Sequence, residues 1–401
     1  MKSATAISYE LDDILYAADE LTDQIKERIE LAKNSVAILH GQPDMEIGEL
    51  SAAISERLGC RVVGGTTAAG ALLTNEGYHE LAVVLHVFTD DNCLFAAAIS
   101  DSMTNDPDSE IKITYRRALL NLKEQDPSAE PKMVMCMATI VPSIATDNIL
   151  QSVSNLCGGM PVFGYNAGDD FEFCKQQVYL DGESGGDKIV IMLMAGDIRP
   201  IFQTANLAGK KALEKRLVTK SRDNVIIEIE GRPAAEYLKN FPFINDETVT
   251  LFNYQFFVEM QNDAFNDGIP VSRALKSYDR ETGEITCFAN VPENSYIGLL
   301  YCDGNDVANT TEQGLKDFLR QLDEAAGGYK YTAVLAATCS LRNMFLTDMK
   351  KTEGDLIKNM MPSDLTVSGL YVFGEMAPTS VMENNKAVNR FHNATFTLCA
   401  F

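Results

Sequence analysis

Residues 60–71 read CRVVGGTTAAGA: a short apolar strand closing on glycine, followed by a loop of small residues. The figure returns at 160–170, where MPVFG leads into YNAGDD, and at 369–378, where GLYVFG leads into EMAP. Strands closing at Gly64, Gly164 and Gly374 therefore mark a unit used three times. A glycine there permits a positive φ or a close backbone approach, so the chain turns with no side chain in the way.

The flanks repeat as well. Ahead of the first glycine, Leu11, Leu15, Ala18, Leu21, Ile25 and Ile29 recur at three or four, which predicts a helix over 11–32. A strand at 35–40 and a second helix carrying Ile47, Leu50, Ile54 and Leu58 follow. After the loop, strands at 81–88 and 93–100 read as a hairpin turning at Asp90–Asn92. The second copy runs through strand 133–138, a helix with Ile149, Val153 and Leu156 broken at Gly158-Gly159, and strands at 176–180 and 188–196. The third has strand 331–338, a helix around 353–361 and one closing strand, 391–400. Between the second and third copies, strands are expected within 223–238 and at 256–260, 285–290 and 295–302, then a helix carrying Leu315, Phe318, Leu319 and Leu322.

Each copy mixes βα units with hairpins. The expected fold class is α/β with α+β character: mixed sheets built from repeated β-α-β-β-β units flanked by helices, in two domains. The basic stretch 209–222 sets the boundary, giving domains 1–215 (two units) and 216–401 (the third unit plus a β-rich segment).

Composition narrows the function classes. The chain has 401 residues, 46% of them apolar, enough for a large core. It carries 34 Lys and Arg against 57 Asp and Glu, a net charge of −23, which repels phosphate backbones and anionic lipid and argues against nucleic acid and membrane as partners. No run approaches the ~20 apolar residues of a membrane span. Glu10, Asp12, Asp13, Asp19 and Glu20 interrupt the N-terminal segment where a secretion signal needs an apolar centre. Nine cysteines without a C-x-x-C pair read as reduced, buried thiols, and the expected location is the cytoplasm. Dinucleotide, P-loop and HExxH metalloprotease motifs are absent from the sequence.

The candidate site residues lie at strand ends, where binding groups gather in α/β proteins. Thr66 belongs to a loop whose N–H groups suit an anion or simply pack tightly. Asn166 and Asp169 occupy the matching loop of the second copy, either holding an ammonium group or cation, or capping a turn. In the third copy Cys339 and Arg342 follow one strand, Glu375 follows Gly374, and His392-Asn393 begins the last strand. Arg for a carboxylate, Glu for an ammonium and Asn for either would together recognise a zwitterion. The alternative is an Arg–Glu pair that ties strand ends together.

In this order GGTTAAG, PVFGYNAGDD, TCSLR, VFGEMAP and FHNATF resemble the FIST family, with its paired N- and C-terminal domains, from about residue 30 to the end. The resemblance implies a prokaryotic sensory module for signal transduction that binds small ligands such as amino acids. It implies an output through a separate partner: a histidine kinase, a chemotaxis receptor or a cyclic-nucleotide enzyme. Family positions carry over to Cys339, Arg342, Gly374, Glu375, His392 and Asn393, with Gly64, Gly164 and Asp169 in the first half. Tyr165-Asn166 stands where Gly-Ser is more usual, and Gly65 where an acid often follows.

A ligand sensor without catalytic or metal-binding residues is the expected function. Haem-based sensing of nitric oxide, known from a subset of the family, would need His392, His40 or Cys339 as axial ligand. An enzyme would need Cys339 as nucleophile and His392 as base.

Overall fold

The computed structural model describes residues 1–207, 213–238, 256–261, 268–279, 281–346, 352–382 and 385–401. Of the expected boundary stretch 209–222, residues 209–212 lie outside them.

Three units follow one plan. The first comprises β1 (Lys2–Ser8), α1 (Ile14–Arg28), β2 (Ser35–Gly41), α2 (Ile47–Leu58), β3 (Arg61–Thr66), β4 (Ala71–Thr74), β5 (Gly77–Glu80) and β6 (Val83–Thr89). The second comprises β7 (Cys93–Ile99), α3 (Pro107–Gln125), β8 (Pro131–Ala138), α4 (Thr146–Leu156), β9 (Val162–Asn166), β10 (Val178–Leu180), β11 (Glu183–Gly185) and β12 (Ile189–Gly196). The third opens with β13 (Ile201–Ala205). A β-rich insertion follows: β14 (Leu213–Arg222), β15 (Val225–Ile229), β16 (Arg232–Pro233), α5 (Ala235–Leu238), β17 (Phe256–Gln261), β18 (Val271–Tyr278), β19 (Ile285–Cys287) and β20 (Tyr296–Tyr301). The unit then resumes with α6 (Gly304–Ala325), β21 (Ala333–Cys339), α7 (Ser340–Leu346), α8 (Glu353–Met360), β22 (Thr366–Val372), β23 (Glu375–Val381), β24 (Ala387–His392) and β25 (Phe396–Ala400).

The units are tied by exchange of hairpins. Each six-stranded sheet has a parallel pair at its centre (β2–β3, β8–β9 or β21–β22), its own last strand on one side and a hairpin from another unit on the other. The second unit's β10–β11 joins the first sheet, pairing Val178 with Gly65. The third unit's β23–β24 joins the second sheet, pairing Met376 with Gly164. The first unit's β4–β5 joins the third sheet, pairing Leu72 with Leu370. The exchange is cyclic, so no unit completes its sheet alone.

Three expectations are corrected. Strands β6 and β7 do meet at a tight turn, Cys93 N–H donating to Asp90 O at 3.2 Å, but they are not a hairpin: β6 belongs to the first sheet and β7 to the second. Both are buried along nearly their whole length, and each finds cover for its two faces in a different sheet. The expected closing strand 391–400 is likewise two strands, β24 in the second sheet and β25 in the third, parted at Ala394 with φ 55°.

The third correction concerns glycine. Gly64 and Gly164 sit inside their strands, and a Cβ on either would lie 1.9 Å from Leu39 O or 1.7 Å from Cys136 O of the parallel neighbour. Close approach, not a turn, requires them. The residue in that register in the third sheet is Gly369, opposite Ala336, and not Gly374. Gly374 lies past the strand end at φ 136°, where only glycine is at ease.

The inner faces of all three sheets meet in one core, to which Val36, Ile38 and Val63, then Met133, Met135, Met137 and Phe163, then Ala333, Leu335 and Val372 contribute. Helices cover the outer faces: α1 and α2 on the first sheet, α3 and α4 on the second, α6 and α8 on the third. The sequence pattern did not reveal α3, which begins at Asp106, whose carboxylate accepts from Ser109 N–H, with Pro107 in its first turn. The insertion closes on itself. Strands β14, β20, β17, β18, β19 and β15 pair antiparallel in that order and β15 returns to β14, which closes a small barrel with the two-residue β16 attached to β15. Among the described residues no helix is long and apolar enough to cross a membrane.

Candidate functional site

A cleft of about 860 Å³ opens where the second unit, the barrel and the third unit meet. One wall is the loop from Ile140 into α4. The barrel supplies Asn224, Lys276, Phe288 and Asn290, and the third unit supplies Phe373 and Phe391. An apolar annex of about 40 Å³ lies beside it, sharing Ile140, Phe173, Phe288 and Phe373 with the cleft wall.

The aromatic wall is built by a carboxylate. Asp169 is fully buried, and its oxygens accept from the N–H groups of Phe173 at 3.1 Å and of Cys174 and Lys175 at 2.9 Å each. This holds a loop in which Phe171 and Phe173 take left-handed φ of 64° and 57°, strained for aromatic residues. Phe173 thereby stacks on Phe373 at 4.7 Å between centroids and reaches Phe288 at 6.4 Å.

Asn166 ends β9 at the cleft, 1% exposed. Its backbone is pinned on both sides, N–H to Gly374 O at 2.9 Å and O from Phe373 N–H at 3.0 Å. Its Nδ2 donates to Thr146 Oγ1 at 2.6 Å, while Oδ1 has no hydrogen-bond partner. Helix α4 starts beside it, and its N-cap, Ala145, has no side chain to satisfy the first N–H groups.

A buried ion pair joins the three parts at the cleft. Arg273 of β18 donates to Asp147 Oδ1 at 3.3 Å, to Asn290 O at 2.8 Å and to Phe391 O at 3.0 Å. Asp147 Oδ2 accepts from Asn290 N–H at 3.0 Å. Burial lowers the Arg273 pKa and raises that of Asp147, and each charge opposes the shift of its partner.

The sequence-chosen residues divide among several places. Asn166 lines the cleft; Cys339 and Asn393 line the annex. The Asn393 amide is engaged, Nδ2 donating to His392 O at 3.2 Å and Oδ1 accepting from Ala274 N–H at 3.4 Å. Asp169 acts behind the wall. Glu375 and His392 face one another as partners in the β23–β24 ladder, both fully buried. Burial pushes the Glu375 carboxyl well above the usual range despite Arg342. Burial holds His392 neutral with its pKa at about 3, Nε2 lying 3.1 Å from Ala377 O. Burial, then the charge of Glu375, raises the Cys339 thiol.

Arg342 and Thr66 lie away from the cleft. Arg342 pairs with Glu353, not Glu375, at 2.8 Å, both fully buried, and also donates to Thr311 Oγ1 at 2.6 Å and Ala394 O at 3.2 Å. Thr311 and Thr338 donate to the same carboxylate. Thr66 stitches two units together, donating to Gly168 O at 2.7 Å and accepting from Gln177 N–H at 3.0 Å. His40 is in the central core, 3.3 Å from Ser368 Oγ, which His86 also contacts at 2.9 Å. The stretch Gly182-Glu183-Ser184-Gly185-Gly186 has the spacing of a hydrolase nucleophile elbow, yet it forms the turn and second strand of the β10–β11 hairpin, not a strand-to-helix turn.

Sequence reasoning missed Thr146, Phe173, Lys276, Phe288, Asn290 and the Arg273–Asp147 pair. The F-x-F spacing of Phe171 and Phe173 directly after two acids was the one local signal for any of them.

Residues 35–232 match the FIST N domain and residues 234–378 match the FIST C domain. No curated protein matches the chain.

Proposed function

The chain belongs to the FIST family of sensory signal-transduction domains, and on that premise we propose that the cleft is the input site, binding an amino acid or a related small polar metabolite. Asn166 carries this reading: a 99%-buried amide in the cleft lining that leaves one end unpaired is costly unless a ligand supplies the missing bond. The lining offers both signs of charge, Lys276 for a carboxylate and Asp108 and Asp223 for an ammonium. The signal would pass to a separate protein, such as a histidine kinase, chemotaxis receptor or cyclic-nucleotide enzyme. Family membership alone supports that output.

The cleft touches all three structural parts, so a ligand filling it would bias their closure. Thermal unfolding with millimolar amino acids and small carboxylic acids tests the reading. A ligand at 100 times its Kd stabilises by about 2.7 kcal/mol. The stabilised melting point should fall back in Asn166→Ala, and a panel that shifts nothing removes the proposal.

A further inference from the structure

Resting on the amino-acid reading of the cleft, we infer that the apolar annex is a side-chain pocket selecting amino acids with small branched aliphatic side chains. Its boundary is made by Phe171, Phe173, Phe288, Phe373, Ala274 and Leu341, with Cys339 beside them. At about 40 Å³ against about 860 Å³ for the cleft, the annex has room for a few water-sized groups, which suits a short aliphatic side chain.

Its polarity points the same way. The Asn393 amide is already engaged at both ends, and the Cys339 thiol is a weak donor held protonated. Apart from the Ser340 hydroxyl, a polar side chain entering here exchanges water for carbon and sulfur, which is unfavourable. The cleft itself, with Asn166, Asn224, Asn290 and Lys276, suits the charged end of an amino acid. Shared residues Phe173, Phe288 and Phe373 place the two compartments side by side, as a small molecule with its charged end in the cleft and its side chain in the annex requires.

Titration calorimetry with glycine, valine, leucine, phenylalanine and glutamate reads the selection directly. Valine and leucine are expected to bind at least tenfold more tightly than glycine and glutamate, the discrimination an apolar pocket gives for a few methylenes. Ala274→Leu fills the annex and should weaken valine and leucine at least tenfold while leaving glycine within about twofold. Should that variant fail to fold, Phe173→Ala enlarges the annex from a half-buried position and should bring phenylalanine up to the level of leucine. If the amino acids bind with equal affinity, or glutamate binds best, the pocket assignment falls and the cleft reading stands. If none binds, both fall.

Discussion

Asp169 positions Phe173 from behind: its carboxylate accepts the Phe173 N–H at 3.1 Å, and the ring it fixes stacks on Phe373 4.7 Å away. The acid chosen from the sequence as a ligand contact thus shapes the site without facing it. Three backbone donors converge on it, each a charge-assisted bond. Asp169→Ala should cost about 3 kcal/mol of stability by leaving those N–H groups unpaired, and Asp169→Asn less. Urea unfolding gives the cost, and near-ultraviolet dichroism should report the loosened phenylalanine stack. Unchanged spectra and midpoint in the alanine variant would contradict the role.

Arg342 and Glu353 form a pair with no exposed surface, surrounded by threonine hydroxyls and carbonyl groups. Removing one member leaves the other charged and buried. Arg342→Ala and Glu353→Ala should each cost about 3–5 kcal/mol, while Arg342→Met with Glu353→Leu should cost markedly less. A double-mutant cycle by urea unfolding checks this. Additive losses would mean the two groups act independently.

The three glycines that approach a parallel neighbour should rank by the space each has. A methyl at Gly164 or Gly64 meets a backbone carbonyl inside 2 Å, whereas at Gly369 the nearest atom is Ala336 Cβ at 2.7 Å. Alanine at 164 or 64 should therefore destabilise by several kcal/mol, through forced separation of β8–β9 or β2–β3, and at 369 by less. Alanine at Gly374 is strained through its φ of 136° and by contact with the Phe391 ring. Melting temperatures of the four variants decide it. A Gly374 variant whose melting behaves like wild type would point to a loop that relaxes freely.

The same glycines show how far the sequence could be read. The parallel strands were legible because burial on both faces writes them as continuous apolar runs, as in VMCMA around Cys136. The destinations of the hairpins were not. Leu72 pairs with Leu370 almost three hundred residues away, and no local pattern encodes that register. Arg342 was read as part of an ion pair or a ligand clamp, but its partner was misassigned. Glu353 enters through the first turn of α8, fixed by a capping box of Thr352 and Asp355, and only the folded chain brings it beneath α7. The cleft amides Asn148, Asn166, Asn224 and Asn290 come from four separate segments, and only the folded chain brings Asn224 and Asn290 of the barrel to the two from the second unit.

Four buried histidines give acid sensitivity with a definite sign, His79 among them, its pKa lowered by burial. His40 and His392 are held neutral down to about pH 3 by burial, and burial together with His40 lowers His86 well below 6.5. In the unfolded chain each takes up a proton near pH 6.5, so below that pH the unfolded state binds more protons and stability falls as pH falls. Each histidine contributes about 1.4 kcal/mol per pH unit between roughly 6.5 and its folded value. Glu375 acts in the opposite sense: its raised folded pKa means that stability declines as pH rises above about 4.5, where the unfolded carboxyl ionises. Asp147 and Asp170, also raised by burial, act in the same sense as Glu375, but the four histidines outweigh the three carboxyls, so the urea midpoint should drop on going from pH 7 to 5. Position 86 is filled by Met192 in the matching register of the second sheet. His86→Met should therefore fold and remove about one proton from the pH slope. A slope that is flat in the parent protein, or unaltered in His86→Met, would mean that the imidazoles titrate freely in the folded chain.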